Sequence, residues 1–272
     1  MKKTILITGV TGSIGGATAL QLAKANHHLV LLARDHQKLE ILKSNLINQS
    51  GNTSIDILTA DLSHIADTKR IATQFKAQYN RLDALVNIAA IYRANRELSK
   101  DGLEMMFATN HMGPFVLTNE LLDLLEKSSP SRIVTVAAPS NTKLNFEDLQ
   151  GEKKFSAFQA FGGSKMMNLL CGYALAKKLE GTGVTVNTFH PGLVKSDLVK
   201  EMKGPLKLMV NLMSTSPDKA AHALSELATA DKYDEVSGKF FDFKQQEKKS
   251  SAYSHDEGMQ KKLWEISTEL AK

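Results

Sequence analysis

The chain has 272 residues, 42% of them hydrophobic and 23% charged, an ordinary globular composition with room for one large α/β domain and its core. Its net charge of +5 is scattered, with Lys248-Lys249 the densest cluster, which excludes a basic arm for nucleic acid. The single cysteine, Cys171, excludes internal disulfides and CxxC metal sites, and its apolar setting (Leu169-Leu170-Cys171) suggests a buried helical thiol.

In chain order the pattern alternates between apolar runs and helical periodicity. Strands are expected at Thr4–Thr8, Leu29–Ala33, Ser54–Thr59, Ala84–Ile88, Arg132–Ala137, Val184–Phe189 and Gly238–Phe243. Helices are expected at Ile14–Ala25, His36–Gln49, Ile65–Tyr79, Gly102–Lys127, Phe158–Glu180 and Asp218–Ala230, with a closing helix around Trp264. This alternation predicts an α/β, doubly wound, seven-stranded parallel sheet with helices on both faces, in a single domain over residues 1–272. Met1-Lys2-Lys3 superficially starts like a signal peptide, but the apolar run stops at Gly9, so a strand is expected. No stretch approaches the length of a membrane span, and the expected location is cytoplasmic.

Two stretches interrupt the alternation. Pro139–Lys154 is polar and loop-like. The segment from residue 195 to residue 216, which carries Met202, Leu206, Leu208, Met209, Val210, Leu212 and Met213, is expected to form a substrate lid. Both leave from the carboxyl edge of the sheet, where ligands of such folds sit. A core-packed helix or a membrane-touching segment are the other readings of the second stretch.

Thr8-Gly9-Val10-Thr11-Gly12-Ser13-Ile14-Gly15-Gly16 joins the first strand to the first helix. Gly9 permits the tight turn, and Gly15 lets backbone approach a phosphate. Thr11, Gly12, Ser13 and Ile14 form the loop at the helix N-terminus, where N–H groups lack intrahelical partners. A dinucleotide is therefore the expected ligand. After the second strand, Ala33 offers no carboxylate for a ribose, whereas Arg34 can pair with a 2′-phosphate, favouring NADP(H) over NAD(H). Asp35 keeps NAD(H) open, and Arg34 as a purely structural residue is the third reading.

The order Thr8-Gly9-x-x-x-Ser13-x-Gly15, with Gly12 among the intervening residues, resembles the TGxxxGxG form of the short-chain dehydrogenase/reductase family, a Rossmann fold. The resemblance extends through Asp61-Leu62 (adenine contact), Asn87-Ile88-Ala89-Ala90 for Asn-Asn-Ala-Gly, and Pro191-Gly192-Leu193-Val194-Lys195-Ser196 for PGxxxT, with Ser196 in place of Thr. It implies cofactor contacts at Asp61, Leu62, Asn87, Ala89, Lys165, Pro191, Gly192, Val194 and Ser196. Asn110-His111-Met112-Gly113-Pro114-Phe115 resembles the NHxGxFxLT stretch of the branch like retinol dehydrogenases and WW-domain oxidoreductases. The family also implies a homodimer or homotetramer through the two long helices.

The same resemblance implies a catalytic Asn, Lys, Tyr and Ser. Asn110 and Lys165 match, but Phe161 stands at the Tyr position and Ala138 at the Ser position. Both missing groups are hydroxyls, which would protonate or stabilise the oxygen that a hydride leaves charged. Asp148-Leu149-Gln150 upstream and Gly181-Thr182-Gly183 downstream resemble the same branch and fix this register.

The expectation is an NADP(H)-dependent oxidoreductase with an altered acid–base site and a small lipophilic substrate: a carbonyl, an enone or an imine. Tyr92, Ser140, His111 and His190 are the candidate substitute donors, Tyr92 foremost. The alternatives are a catalytically inactive NADP(H)-binding sensor or interaction module, and a deliberately inactivated mutant.

Overall fold

A computed structural model describes residues 2–194, 214 and 216–272. Seven strands form one sheet in the order β3-β2-β1-β4-β5-β6-β7. They are β1 (Thr4–Thr8), β2 (His28–Ala33), β3 (Ile55–Thr59), β4 (Ala84–Asn87), β5 (Ser131–Val136), β6 (Val184–His190) and β7 (Lys239–Asp242). Every pairing is parallel, and each strand bound lies within one residue of the sequence expectation. Buried apolar runs explain this agreement in β1, β2 and β4, whereas β5 and β6 also bury Arg132, Thr185, Asn187 and Thr188 and are placed by their alternation with helices.

Alternation along β1 splits the core. Ile5 and Ile7 join Leu22 and Leu224 on one face, whereas Leu6 joins Phe75 and Leu117 on the other. The first face is covered by α1 (Ser13–Lys24), α2 (His36–Ser50) and α8 (Pro217–Thr229), with α1 packed on both α2 and α8. The second carries α3 (Ile65–Gln78), α5 (Gly113–Glu120) and α7 (Ala157–Lys178). Chain order reverses at the junction of β1 and β4, and this reversal creates a crevice at the carboxyl ends of those strands.

The helix expected over Gly102–Lys127 is not continuous. Gly102 has φ 75° and belongs to a turn, and the helix starts after Glu104, whose carboxylate accepts from the N–H groups of Met106 and Phe107. A short α4 (Met105–Phe107) runs into a π-turn over Ala108–Met112, then α5, then α6 (Leu122–Lys127). Apolar periodicity alone does not reveal the wide turn, because the residues on either side are buried all round.

A final helix, α9 (Glu257–Leu270), lies along α7 and reaches α5 through an edge contact of Trp264 with Phe115. Part of the surface that the resemblance assigns to subunit pairing is thus covered by the chain's own C-terminal helix. No helix among the described residues is long and apolar enough to cross a membrane. The expected lid lies outside the described residues apart from positions 214 and 216, and so do Lys195 and Ser196.

Candidate active site

The glycine-rich turn is built by close backbone approach. Gly9 has φ 70°, and a Cβ there would stand 2.6 Å from the Ala89 nitrogen. A Cβ on Gly15 would stand 2.3 Å from the Gly9 carbonyl oxygen. Thr8 completes the junction: its hydroxyl oxygen accepts from the N–H groups of Ile88 (3.0 Å) and Ala89 (3.1 Å). The turn and the β4 loop are therefore locked together at the crevice. Above them Thr11 and Gly12 are exposed, no side chain caps α1, and its first turn carries no acidic residue. Those features suit a pyrophosphate, which supplies the acceptors and negative charge that this N-terminus lacks.

At the end of β2, Arg34 is exposed beside the crevice. Asp35 instead caps α2, its carboxylate accepting from the Lys38 N–H at 3.1 Å. Asp61 accepts from both the N–H and hydroxyl of Ser63, and buried Leu62 packs where Gly113 opens α5. Asn87 donates to the hydroxyls of Thr118 (3.1 Å) and Thr135 (3.4 Å), which ties β4 to α5 and β5. Beyond β6, Pro191 leads to Gly192 at φ 78°, and buried Val194 joins the apolar cluster of Val10 and Ile14. The segment thus turns back toward the glycine-rich loop.

On the other side of the crevice, the π-turn presents Asn110, which is fully buried. Its side chain clasps Ile91: Oδ1 accepts from the Ile91 N–H at 2.8 Å, and Nδ2 donates to the Ile91 carbonyl at 2.9 Å. Nδ2 also donates to Ser164 Oγ at 3.1 Å, and that hydroxyl donates to the Phe161 carbonyl at 2.8 Å. Ser164 is a site residue that sequence reasoning missed. Its only signal there was its place beside Lys165, one helical turn after Phe161.

Lys165 is 4% exposed, with Nζ 3.5 Å from the Val136 carbonyl and 5.5 Å from the centre of the Phe161 ring. Among the described residues no carboxylate meets it, and burial lowers its pKa to about 8. Ala138 follows β5 at the same edge of the sheet and is half-buried.

The four candidate donors separate. Ser140 donates to the Gly162 carbonyl at 2.9 Å and accepts from the Thr142 N–H, so it holds the loop against α7. His111 faces away from the crevice, its Nε2 2.7 Å from Ser267 Oγ on α9, and burial between Phe107 and Phe115 lowers its pKa to about 4. His190 is also held neutral by burial, with a pKa of about 4, and its ring tilts toward Phe240. Tyr92 stands against Phe161, ring centres 5.7 Å apart and edge-on. It is half-buried, and its phenol makes no hydrogen bond among the described residues.

Comparison with known proteins bears on this arrangement. Residues 3–207 match the family described as short chain dehydrogenase. The chain belongs to the short-chain dehydrogenase/reductase family. Within this family it falls in the retinol dehydrogenase-like branch. It is 34% identical to mouse (Mus musculus) retinol dehydrogenase 13, over 98% of this chain and 83% of the relative. Human (Homo sapiens) retinol dehydrogenase 14 is also 34% identical, over 97% of this chain and 85% of the relative. Among solved structures of the fold, an uncharacterised protein from Mycobacterium paratuberculosis superposes with a TM-score of 0.81 at 26% identity, covering 99% of this chain and 93% of its own. The Pseudomonas aeruginosa RhlG/NADP active-site complex has a TM-score of 0.71 at 23% identity, covering 93% and 96%, and shares the fold. The family is one of nicotinamide-dependent oxidoreductases.

Proposed function

We propose that this chain is an NADP(H)-dependent oxidoreductase whose acid–base group has moved from α7 to the loop after β4. Phe161 and Ala138 stand where the branch uses hydroxyls, and Tyr92 returns a phenol beside the Phe161 ring. The observation that carries this reading is the Asn110 clasp on Ile91, which fixes the residue next to Tyr92 at both of its backbone groups. Tyr92 and Lys165 both stand against the Phe161 ring, with the Tyr92 ring centre 5.7 Å and Lys165 Nζ 5.5 Å from its centre.

NADPH, when bound, supplies a hydride; Arg34 would hold its 2′-phosphate, the α1 N-terminus its pyrophosphate, and Lys165 its ribose hydroxyls. The engagement of Asp35 in capping α2 supports the phosphorylated cofactor, because that carboxylate is already committed. Tyr92 would donate a proton to the substrate oxygen, and the charge on Lys165 would favour the phenolate left behind. The Phe161 ring and the edge-on ring of Tyr92, 5.7 Å apart, present an apolar surface, which fits a small lipophilic carbonyl compound. The name of the relatives, retinol dehydrogenase, agrees with that class.

A second reading rests on the same two replacements: the crevice binds NADP(H) without turnover. Titrating NADPH by its fluorescence and then screening ketones, enones and imines for its consumption separates the two. Binding with reduction of a ketone that Tyr92→Phe abolishes, without changing NADPH affinity, is expected. Binding without turnover of any class would leave the second reading, and failure to bind would remove both.

A further inference from the structure

The C-terminal helix reaches the candidate active site through one buried hydrogen bond. Ser267 on α9 and His111 in the π-turn are 0% and 1% exposed, and their Oγ and Nε2 atoms are 2.7 Å apart. His111 directly follows Asn110 in that turn, so the imidazole and the amide leave the same wide coil in different directions. The amide holds Ile91. The imidazole also adjoins the side chain of Asn168 on α7, whose Nδ2 donates to the Val136 carbonyl that Lys165 faces. A single hydroxyl on α9 thus stands at the root of two branches, one toward Asn110 and Ile91, the other toward Asn168 and Lys165.

A π-turn makes such an anchor consequential. Its wide coil has fewer regular hydrogen bonds than an α-helical turn and keeps its shape only where the surroundings over-determine it. Here Phe107 and Phe115 flank the imidazole, at 5.5 and 5.9 Å between ring centres, and Trp264 of α9 closes on Phe115 at 5.0 Å. These contacts fill space without direction; the Ser267–His111 bond fixes the rotation of the ring and so the phase of the turn.

We propose that Ser267 is a positioning residue for the active site, holding through His111 the π-turn that aims Asn110 at Ile91. The groups that face the imidazole are Ser267 from α9, Asn168 from α7 and the two phenylalanines of its own segment, none of them charged. The catalytic meaning of this role rests on the function proposed above, but the structural coupling is measurable without any substrate.

The test is peptide-resolved amide hydrogen exchange on the full chain, comparing wild type with Ser267→Ala, Ser267→Thr and Trp264→Ala. Ser267→Ala leaves a buried imidazole nitrogen unpaired and is expected to accelerate exchange about tenfold at Ile91–Arg93 and Ala108–Met112. The β1–α1 peptide should be unchanged, and NADPH affinity should stay within about twofold if the cofactor reading holds. Ser267→Thr, which keeps the hydroxyl, should restore protection. Trp264→Ala should loosen α9 without singling out Ile91. Unchanged exchange at Ile91 in Ser267→Ala, equal acceleration in every peptide, or the same Ile91 signature in Trp264→Ala would each overturn the proposal. Should Ser267→Ala not fold, Ser267→Cys keeps the volume, weakens the hydrogen bond and takes its place under the same criteria. Loss of NADPH binding in the wild type would instead defeat the functional reading and leave the exchange result standing.

Discussion

The two walls of the crevice are built on opposite principles. On the β1–α1 wall the backbone sets the shape: Gly9, Gly15 and the Thr8 hydroxyl bring peptide groups together so tightly that no side chain fits between them. On the β5–α7 wall side chains set it: Asn110, Ser164, Lys165, Phe161 and Tyr92 meet across three segments of chain. A wall made of backbone tolerates little change, whereas a wall of side chains can lose two hydroxyls and keep its frame. On the function proposed above, this difference would let the binding half of the site stay fixed while the reacting half changes.

The contrast breaks first where the backbone wall is filled. Gly15→Ala puts a methyl group against the Gly9 carbonyl, and Gly9→Ala adds a left-handed residue pressed on Ala89. Each is expected to cost about 2–4 kcal/mol from overpacking and strain and to abolish NADPH binding, read by thermal unfolding and fluorescence titration. If either variant binds NADPH normally, the rigid-wall description fails.

Refilling the other wall should do the reverse. In a Tyr92→Phe background, Phe161→Tyr with Ala138→Ser is expected to restore carbonyl reduction by roughly 10²–10⁴-fold with little change in stability, since it adds an acid where the lysine already stands. No gain would mean that the side-chain wall has been reshaped beyond its hydroxyls.

The buried lysine offers a pH test of the same wall. With its folded pKa near 8, below the ordinary lysine value of 10.5, the unfolded chain binds more protons between those limits. Stability should therefore rise with pH across that window, by up to about 1.4 kcal/mol per unit. Relative to Lys165→Met, the wild type should be least stable below pH 8 and recover toward pH 10.5, measured by denaturant unfolding at each pH. A flat difference would show that Lys165 is solvated.

The smallest effect concerns cofactor choice. Arg34→Ala should weaken NADPH by about ten- to a hundredfold and leave NADH nearly unchanged, the loss of a charge-assisted pair. Equal weakening of both would make Arg34 structural.

Legibility in the sequence divides along the same line. The strands were readable to within a residue, the central ones as buried runs of Ile, Leu and Val and the outer ones from their place in the alternation with helices. The glycine-rich turn was readable because close approach permits only glycine. The clasp on Ile91 and the Ser164 bridge were not, since a side chain that bonds a residue far along the chain leaves no periodic trace. The break in the helix expected from Gly102 escaped for a related reason: a segment buried all round has no polar stripe to reveal a change of phase.

The π-turn also links reaction and folding in a way that constrains how the chain can change. A wide turn holds one residue more than an α-helical turn, and each added helical residue rotates the rest of the helix by about 100°. Removing one residue from Ala108–Met112 would turn Asn110 away from Ile91, and it would also swing Leu117 out of the core that it shares with Leu6 and Phe75. The register that aims the amide is the register that packs α5. A change of length there would therefore cost packing and aim together, so a one-residue deletion should lose stability and the hold on Ile91 in the same variant.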